Sequence, residues 1–303
     1  MEKYDVIIIG SGPAGLTGAI YATRANLSVL IIEAEVNGGK LSKTFKIENY
    51  PGIKEIGGLE LAMQLTEHAQ NFGAKLISGT VEAITQEDNL KKVVLTNKQE
   101  YLAPYVIVAT GTKERTLDLP KADEFIGKGI SYCAVCDGFF YRNKKVAIIG
   151  GGNSALEEAL YLSTIVDKLY IIIRRDEFRA EASVVDKVKN NNKIEIIYKH
   201  LPDSLVIEDD KIKGLKIRNV ENNDIETIEC DGIFPYIGAD PCTSFLDSSI
   251  LDEYGYVVVN DDMSTAIEGI YAAGDCIHKN LRQVVTACND GAIAANSIAN
   301  KMK

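Results

Sequence analysis

A short apolar strand that stops at a glycine loop and turns at once into a helix occurs twice in this chain. The first copy runs through Tyr4–Ile9, Gly10-Ser-Gly12-Pro-Ala-Gly15, a helix over Leu16–Ala25 and a strand at Ser28–Glu33. The second runs through Lys145–Ile149, Gly150-Gly-Gly152-Asn-Ser-Ala155, a helix over Leu156–Ser163 and a strand at Lys168–Ile173. Each copy then passes through alternating segments, at 91–101 and 205–230, and closes on an apolar strand ending at glycine, Tyr105–Gly111 and Gly232–Gly238. The C-terminal strand Gly269–Gly274 and its small-residue helix have no glycine loop of their own, so they complete the first copy, with the second inserted between its halves.

The loops have a physical purpose. The first glycine permits the tight turn, the second lets backbone approach a pyrophosphate, and the third position lets helix and strand pack closely. Phosphates then rest on the unpaired N–H groups of the helix N-terminus. The residues at the end of each copy's second strand separate their ligands. Glu33 offers a carboxylate to a ribose 2′-hydroxyl and would repel a 2′-phosphate. The second copy instead reaches Ile173-Arg-Arg-Asp-Glu-Phe-Arg179, and guanidinium forks suit a 2′-phosphate. The first site reads as the adenosine of FAD, the second as NADPH. The rival reading of Arg174, Arg175 and Arg179 is a solvated turn paired with Asp176 and Glu177. The expected fold is α/β, with two Rossmann-like FAD/NAD(P)-binding domains in three layers (ββα). The NADPH domain, 114–242, is inserted into an FAD domain formed by 1–113 and 243–303.

Composition closes off other classes. A formal net charge of −10 argues against nucleic acid or an anionic membrane as partner. No apolar run approaches the roughly 18–20 residues of a membrane span, and Met1-Glu-Lys-Tyr-Asp leads straight into the first strand with no leader pattern. The six cysteines, 133, 136, 230, 242, 276 and 288, are scattered rather than densely patterned, which points to the cytoplasm.

Cys133 and Cys136 form a Cys-x-x-Cys pair in Ser131-Tyr-Cys-Ala-Val-Cys-Asp-Gly138. Structural zinc wants four ligands, and this chain has one such pair and three histidines, 68, 200 and 278, all distant in sequence, so no metal is expected. A disulfide closing so short a loop removes little unfolded-state entropy. A working redox dithiol is left as the favoured reading. Asp137 beside it is a candidate acid, its rival role an Asx cap ahead of Gly138.

Taken in order, Gly10–Gly15, Glu48-Asn-Tyr-Pro-Gly52, Ala109-Thr-Gly111, Cys133–Gly138, Gly150–Ala155, Arg174–Ala180, Ala273-Gly-Asp275, Arg282-Gln283 and Thr286-Ala287 closely resemble the low-molecular-weight bacterial-type thioredoxin reductases. The resemblance spans nearly the whole chain. It implies a homodimer that passes electrons from NADPH through non-covalent FAD and a Cys133–Cys136 disulfide to thioredoxin. Carried over by position, it implies FAD contacts from Gly10, Ser11, Gly12, Pro13, Ala14, Gly15 and Glu33. Further FAD contacts would come from Gly39, Lys40, Asn49, Val81, Ala109, Thr110, Gly111, Gly274, Asp275, Arg282, Gln283 and Val284. NADPH would be held by Gly150, Gly152, Asn153, Ser154, Ala155, Arg174, Arg175 and Arg179. Cys136 would be the sulfur nearer the flavin and Cys133 the attacking thiol.

Three positions depart from that family: Ile173 where histidine is common, Lys40 where glutamine is usual, and Cys242 where asparagine is usual. One rigid arrangement poorly serves a dithiol that meets both a flavin and an outside protein; the resemblance implies rotation of the NADPH domain against the FAD domain, with expected hinges at Thr112–Thr116 and Gly238–Thr243. The nearest rivals of the same fold are a dithiol oxidase of small molecules and a disulfide reductase with another acceptor or donor.

Overall fold

The computed structural model describes residues 2–44 and 46–303; Met1, where the expected first domain begins, and Phe45 lie outside them. In chain order come β1 (Glu2–Lys3), β2 (Val6–Ile9), α1 (Pro13–Arg24), β3 (Val29–Glu33), α2 (Gly58–Asn71) and β4 (Lys75–Ser78). They are followed by β5 (Val81–Glu87), β6 (Leu90–Leu95), β7 (Glu100–Ala103), β8 (Tyr105–Val108) and a crossing strand, β9 (Thr112–Glu114). Next are α3 (Ala134–Asp137), β10 (Lys145–Ile149), α4 (Asn153–Ser163), β11 (Lys168–Ile172), α5 (Ala182–Lys189) and β12 (Ile194–Ile197). The antiparallel strands β13 (His200–Glu208), β14 (Lys211–Asn219) and β15 (Ile225–Glu229) lead to β16 (Gly232–Pro235), a returning strand β17 (Ala239–Pro241), β18 (Ile270–Ala272) and α6 (Val284–Lys301).

The chain divides into two compact units, Met1–Lys113 with Asp240–Lys303, and Glu114–Ala239. The return crossing falls just before Asp240, slightly earlier than the expected 242/243. Residues after it are fastened to the first unit: Cys242 N donates to Gly111 O at 3.0 Å and Thr243 Oγ1 to Gly255 O at 2.6 Å. The crossing strands β9 and β17 pair with each other.

Each unit is built on a parallel sheet whose strands alternate between two packing faces. In the first unit the order is β18-β8-β2-β3-β4, every pair parallel. Val6 and Ile8 of β2 join a core with Leu16 and Ala19 of α1 and Ala294 and Ile298 of α6. Ile7 and Ile9, one residue out of step, join Val93 and Leu95 of the second sheet, β1-β7-β6-β5. The inserted unit repeats the scheme in the parallel sheet β12-β11-β10-β16. There Val146 and Ile148 pack with Leu156 and Ala159 of α4, while Ala147 and Ile149 pack with Leu215 and Ile217 of the antiparallel sheet. A strand covered on both faces has no polar side, so these strands read as unbroken apolar runs.

The helices begin three residues earlier than their apolar periodicity suggests, at Pro13 and Asn153. The loop's last residues already have helical geometry, and Pro13 takes the first helical position, where its missing N–H costs nothing.

Helices α1 and α6 touch at backbone distance. A Cβ placed on Gly291 would lie 2.0 Å from Ala14 O. Gly291→Ala is therefore expected to lower stability by about 1–3 kcal/mol, read as a lower denaturant midpoint at unchanged slope.

In α4, Glu158 Oε2 is buried without a hydrogen-bond partner among the described residues. Burial, with a smaller push from the charge of Glu157, raises its carboxyl to about 8. An unfolded glutamate releases its proton near about pH 4.3, whereas the folded chain holds this one to about 8, so stability falls as pH rises through that window. Between about pH 5 and about pH 8, Glu158→Gln is expected to lose less stability than the parent, by on the order of a few kcal/mol, in paired denaturant melts.

Candidate active site

The first loop lies at the carboxyl end of β2. Gly10 has φ +104°, and a Cβ there would come within 2.4 Å of Ala109 O, so only glycine makes this turn. Gly12 has open space where a side chain would go, and α1 carries no acid in its first turn. Room and unpaired N–H groups together make an anion cradle. Glu33, at the end of β3, is buried and accepts from Ser11 N at 2.7 Å and Ser11 Oγ at 2.8 Å through Oε2. Its Oε1 accepts from Glu35 N at 2.9 Å. These bonds fix the carboxylate beside the loop, where a ribose edge would meet it. The cradle and its carboxylate fit the adenosine diphosphate part of FAD.

The remaining predicted FAD positions gather at the same edge or in the turns that follow it. Ala109, Thr110 and Gly111 continue β8, and Gly274 and Asp275 follow β18. Gly39 and Lys40 open the 3-10 turn Gly39–Lys43, and Lys40 Nζ donates to Thr112 Oγ1 at 2.7 Å. Asn49 Nδ2 donates to Gln283 Oε1 at 3.0 Å, and Gln283 caps α6 in a reciprocal pair with Thr286. Val284 begins that helix. Arg282 donates to the carbonyls of Asp275 and Ile277 at 3.3 Å each and lies over the Tyr256 ring. Val81 is buried in the core with Ile9, Ile32 and Leu95, so any ligand contact there falls to its main chain. Burial pushes the Asp275 carboxyl up, and Lys279, Lys40 and Arg282 pull it back toward ionisation.

The second loop repeats the geometry with opposite charge. Gly150 has φ +141°, and a Cβ there would meet Tyr236 O at 2.3 Å. Arg179 N donates to Gly151 O at 2.7 Å, and Gly152 bridges Arg179 in parallel, so the segment after the arginine pair is laid against the loop. Asn153 Oδ1 accepts from Glu181 N at 2.7 Å. Ser154 and Ala155 complete the first turn of α4, which holds no acid. Arg174 and Arg179 are exposed and Arg175 half-buried. None of the three is ion-paired to Asp176 or Glu177 among the described residues, so the solvated-pair reading is not what forms. Ile173 points into the core at 4% exposure, packed under Gly151, and so stands apart from the exposed guanidinium groups. Exposed cations beside an open helix N-terminus fit the 2′-phosphate and pyrophosphate of NADPH.

Cys133 and Cys136 form a disulfide with Cα atoms 5.3 Å apart, at the start of the single turn α3. Cys136 N donates to Cys133 Sγ at 3.1 Å. Ser131 Oγ accepts from Cys133 N at 3.1 Å, and Tyr236 Oη accepts from Ala134 N at 3.3 Å. Gly138 packs on Leu162 of α4, which seats the turn against the helix that follows the second glycine loop. Asp137 makes no side-chain cap, so its rival role as an Asx cap is absent. Cys136 is exposed and Cys133 half-buried, whereas Cys230 and Cys276 are buried and burial raises their thiols to about 12 and about 11. Cys242 and Cys288 are half-buried and unbridged.

Four residues of these sites carry no motif. Asp290, buried in α6, accepts from Gly274 N at 3.1 Å and Lys279 Nζ at 2.6 Å. Thr112 receives Lys40, Tyr236 holds the dithiol turn, and Ser131 orders Cys133. Only Ser131 had a local signal, its place two residues before the pair; the other three meet their partners across the fold.

Comparison with known proteins agrees with this geometry. The pattern describing the pyridine nucleotide-disulphide oxidoreductases matches residues 4–291. The chain is 41% identical to a thioredoxin reductase of Bacillus subtilis over 296 residues, which is 97% of this chain and 93% of that one. The crystal structure of Lactococcus lactis thioredoxin reductase superposes with a TM-score of 0.96 at 40% identity, covering 98% of each chain. That of T. acidophilum gives 0.95 at 36% identity, covering 100% of this chain and 99% of the other. With two dinucleotide cradles, a Cys-x-x-Cys disulfide and matches of this extent, the chain belongs to the pyridine nucleotide-disulphide oxidoreductase family.

Proposed function

We propose that this chain is an NADPH-dependent flavoprotein that reduces the disulfide of thioredoxin. The observation that carries the reading is the seating of the Cys133–Cys136 disulfide on the helix that rises from the arginine-flanked glycine loop. A metal site, a staple or a simple binding module has no use for that combination.

When bound, NADPH supplies a hydride and FAD supplies a carrier that can release two electrons to a disulfide. The work of this chain is to hold and to relay. Gly10, Ser11, Gly12, Pro13, Ala14 and Gly15 present α1 to the FAD pyrophosphate, and Glu33 receives the ribose hydroxyls. Gly150, Gly152, Asn153, Ser154 and Ala155 do the same for NADPH, and Arg174, Arg175 and Arg179 engage its 2′-phosphate. Two electrons and one proton, together the equivalent of the hydride that NADPH supplies, break the Cys133–Cys136 bond and leave one thiol and one thiolate. The Cys136 N–H aimed at Cys133 Sγ favours a thiolate on Cys133, which makes Cys133 the sulfur that attacks the disulfide of thioredoxin. Attack forms a mixed disulfide and releases one substrate thiolate, which Asp137 is positioned by sequence to protonate. Cys136 then attacks Cys133 Sγ, frees the second substrate thiol and restores the disulfide. The paired crossings β9 and β17 are where a swing between the two units would turn. The working form is a cytoplasmic homodimer.

Purified protein supplied with FAD, NADPH, thioredoxin and a disulfide dye tests the reading. Thioredoxin-dependent oxidation of NADPH is expected, and Cys136→Ser is expected to keep its yellow colour while losing that activity. Absence of thioredoxin-dependent turnover in the parent would sink it. Removing two charge-assisted contacts in an Arg174→Ala/Arg175→Ala variant is expected to raise KM for NADPH by about 10- to 100-fold and leave the KM for NADH unchanged.

A further inference from the structure

In the five-stranded sheet the glycine loop follows β2 and Glu33 ends β3. A dinucleotide with its pyrophosphate on the loop therefore sends its adenosine toward β3, and its other half across the ends of β8 and β18. Three groups of this chain meet on that second side. Thr112 lies beyond β8 and Asp275 beyond β18, while Lys40 reaches across from the turn that starts at Gly39. That turn lies against the loop, since a Cβ on Gly39 would meet Gly12 Cα at 3.4 Å. Lys40 is exposed, and its Nζ donates to Thr112 Oγ1 at 2.7 Å; Thr112 is itself only 9% exposed, so its hydroxyl gives the ammonium a fixed resting point at this edge. The charge of Lys40 reaches far enough to favour ionised Asp275.

We propose that Lys40, fastened by Thr112, is a positioning charge that biases the bound flavin toward its reduced form. The inference rests on the flavoprotein reading above. Oxidised flavin is uncharged, and uptake of a hydride from NADPH leaves NADP⁺ and a reduced flavin bearing one negative charge near neutral pH. A fixed ammonium therefore stabilises the reduced form and leaves the oxidised form almost untouched. Sulfite reads the same field without turnover: its sulfur bonds to the flavin ring, a ring electron pair shifts away, and the adduct is an anion.

The experiment compares FAD-loaded parent, Lys40→Gln, Lys40→Arg and Thr112→Val by dye-equilibrated reduction and by sulfite titration. Lys40→Gln is expected to lower the equilibrium constant for two-electron reduction about tenfold, a fall of about 30 mV, and to weaken sulfite binding about tenfold. Lys40→Arg keeps the charge and should stay within about twofold, while Thr112→Val loosens it and should move in the direction of Lys40→Gln by about twofold. A Lys40→Gln protein that holds FAD with the parent's potential and sulfite affinity overturns the proposal. Should Lys40→Gln fail to hold FAD, Thr112→Val decides, and parental values there overturn it equally. An unsubstituted protein that takes up no FAD defeats the flavoprotein reading itself, and this inference with it.

Discussion

Everything in this chain hangs on one contact, the approach of the glycine turn to the strand beside it. At Gly10 the backbone passes so near Ala109 that no side chain fits, and at Gly150 it does the same against Tyr236. The turn lets a helix start at once at the carboxyl edge of a parallel sheet, with its first N–H groups unpaired and facing outward. Those groups must find water or a ligand, and a pyrophosphate satisfies several together. The sheet, the layers around it and the cradle are consequences of that local geometry.

Because both units use the same turn, discrimination between ligands is left to the residues that surround it. In the first unit Ser11 clamps the Glu33 carboxylate through both its N–H and its hydroxyl, leaving a fixed negative edge. In the second, the chain beyond β11 folds back so that Arg179 pairs with the loop backbone while Ile173 is buried beneath it. Ile173 fills an apolar seat beneath Gly151, while Arg174 and Arg179 stay exposed. The dithiol is seated by contacts of the same unit. Ser131 and Tyr236 order the backbone on either side of Cys133, and the Cys136 N–H donates to Cys133 Sγ.

The legibility of these features tracks their physical range. Strand, loop and helix are local, so the two copies and the Cys133/Cys136 dithiol could be read from neighbours in the chain. Apolar periodicity says nothing about the loop's last residues, so the helix starts at Pro13 and Asn153 lie three residues before the first apolar position. The bonds from Cys242 to Gly111 and from Thr243 to Gly255 join segments that only folding brings together, so the place of the return crossing has no local signal.

By itself the sequence determined the two-copy α/β plan, the unlike charges of the two loops at Glu33 and the arginine cluster, and the redox reading of the cysteine pair. Each rests on backbone geometry or charge within a few residues. Only the tertiary structure decided which acids and hydroxyls serve those sites. Asp290 reaches Gly274, Thr112 receives Lys40 and Tyr236 holds Ala134 because sheet order sets distant strand ends side by side. Hydrogen bonds act over about 3 Å, and no spacing along the chain encodes a meeting of that kind.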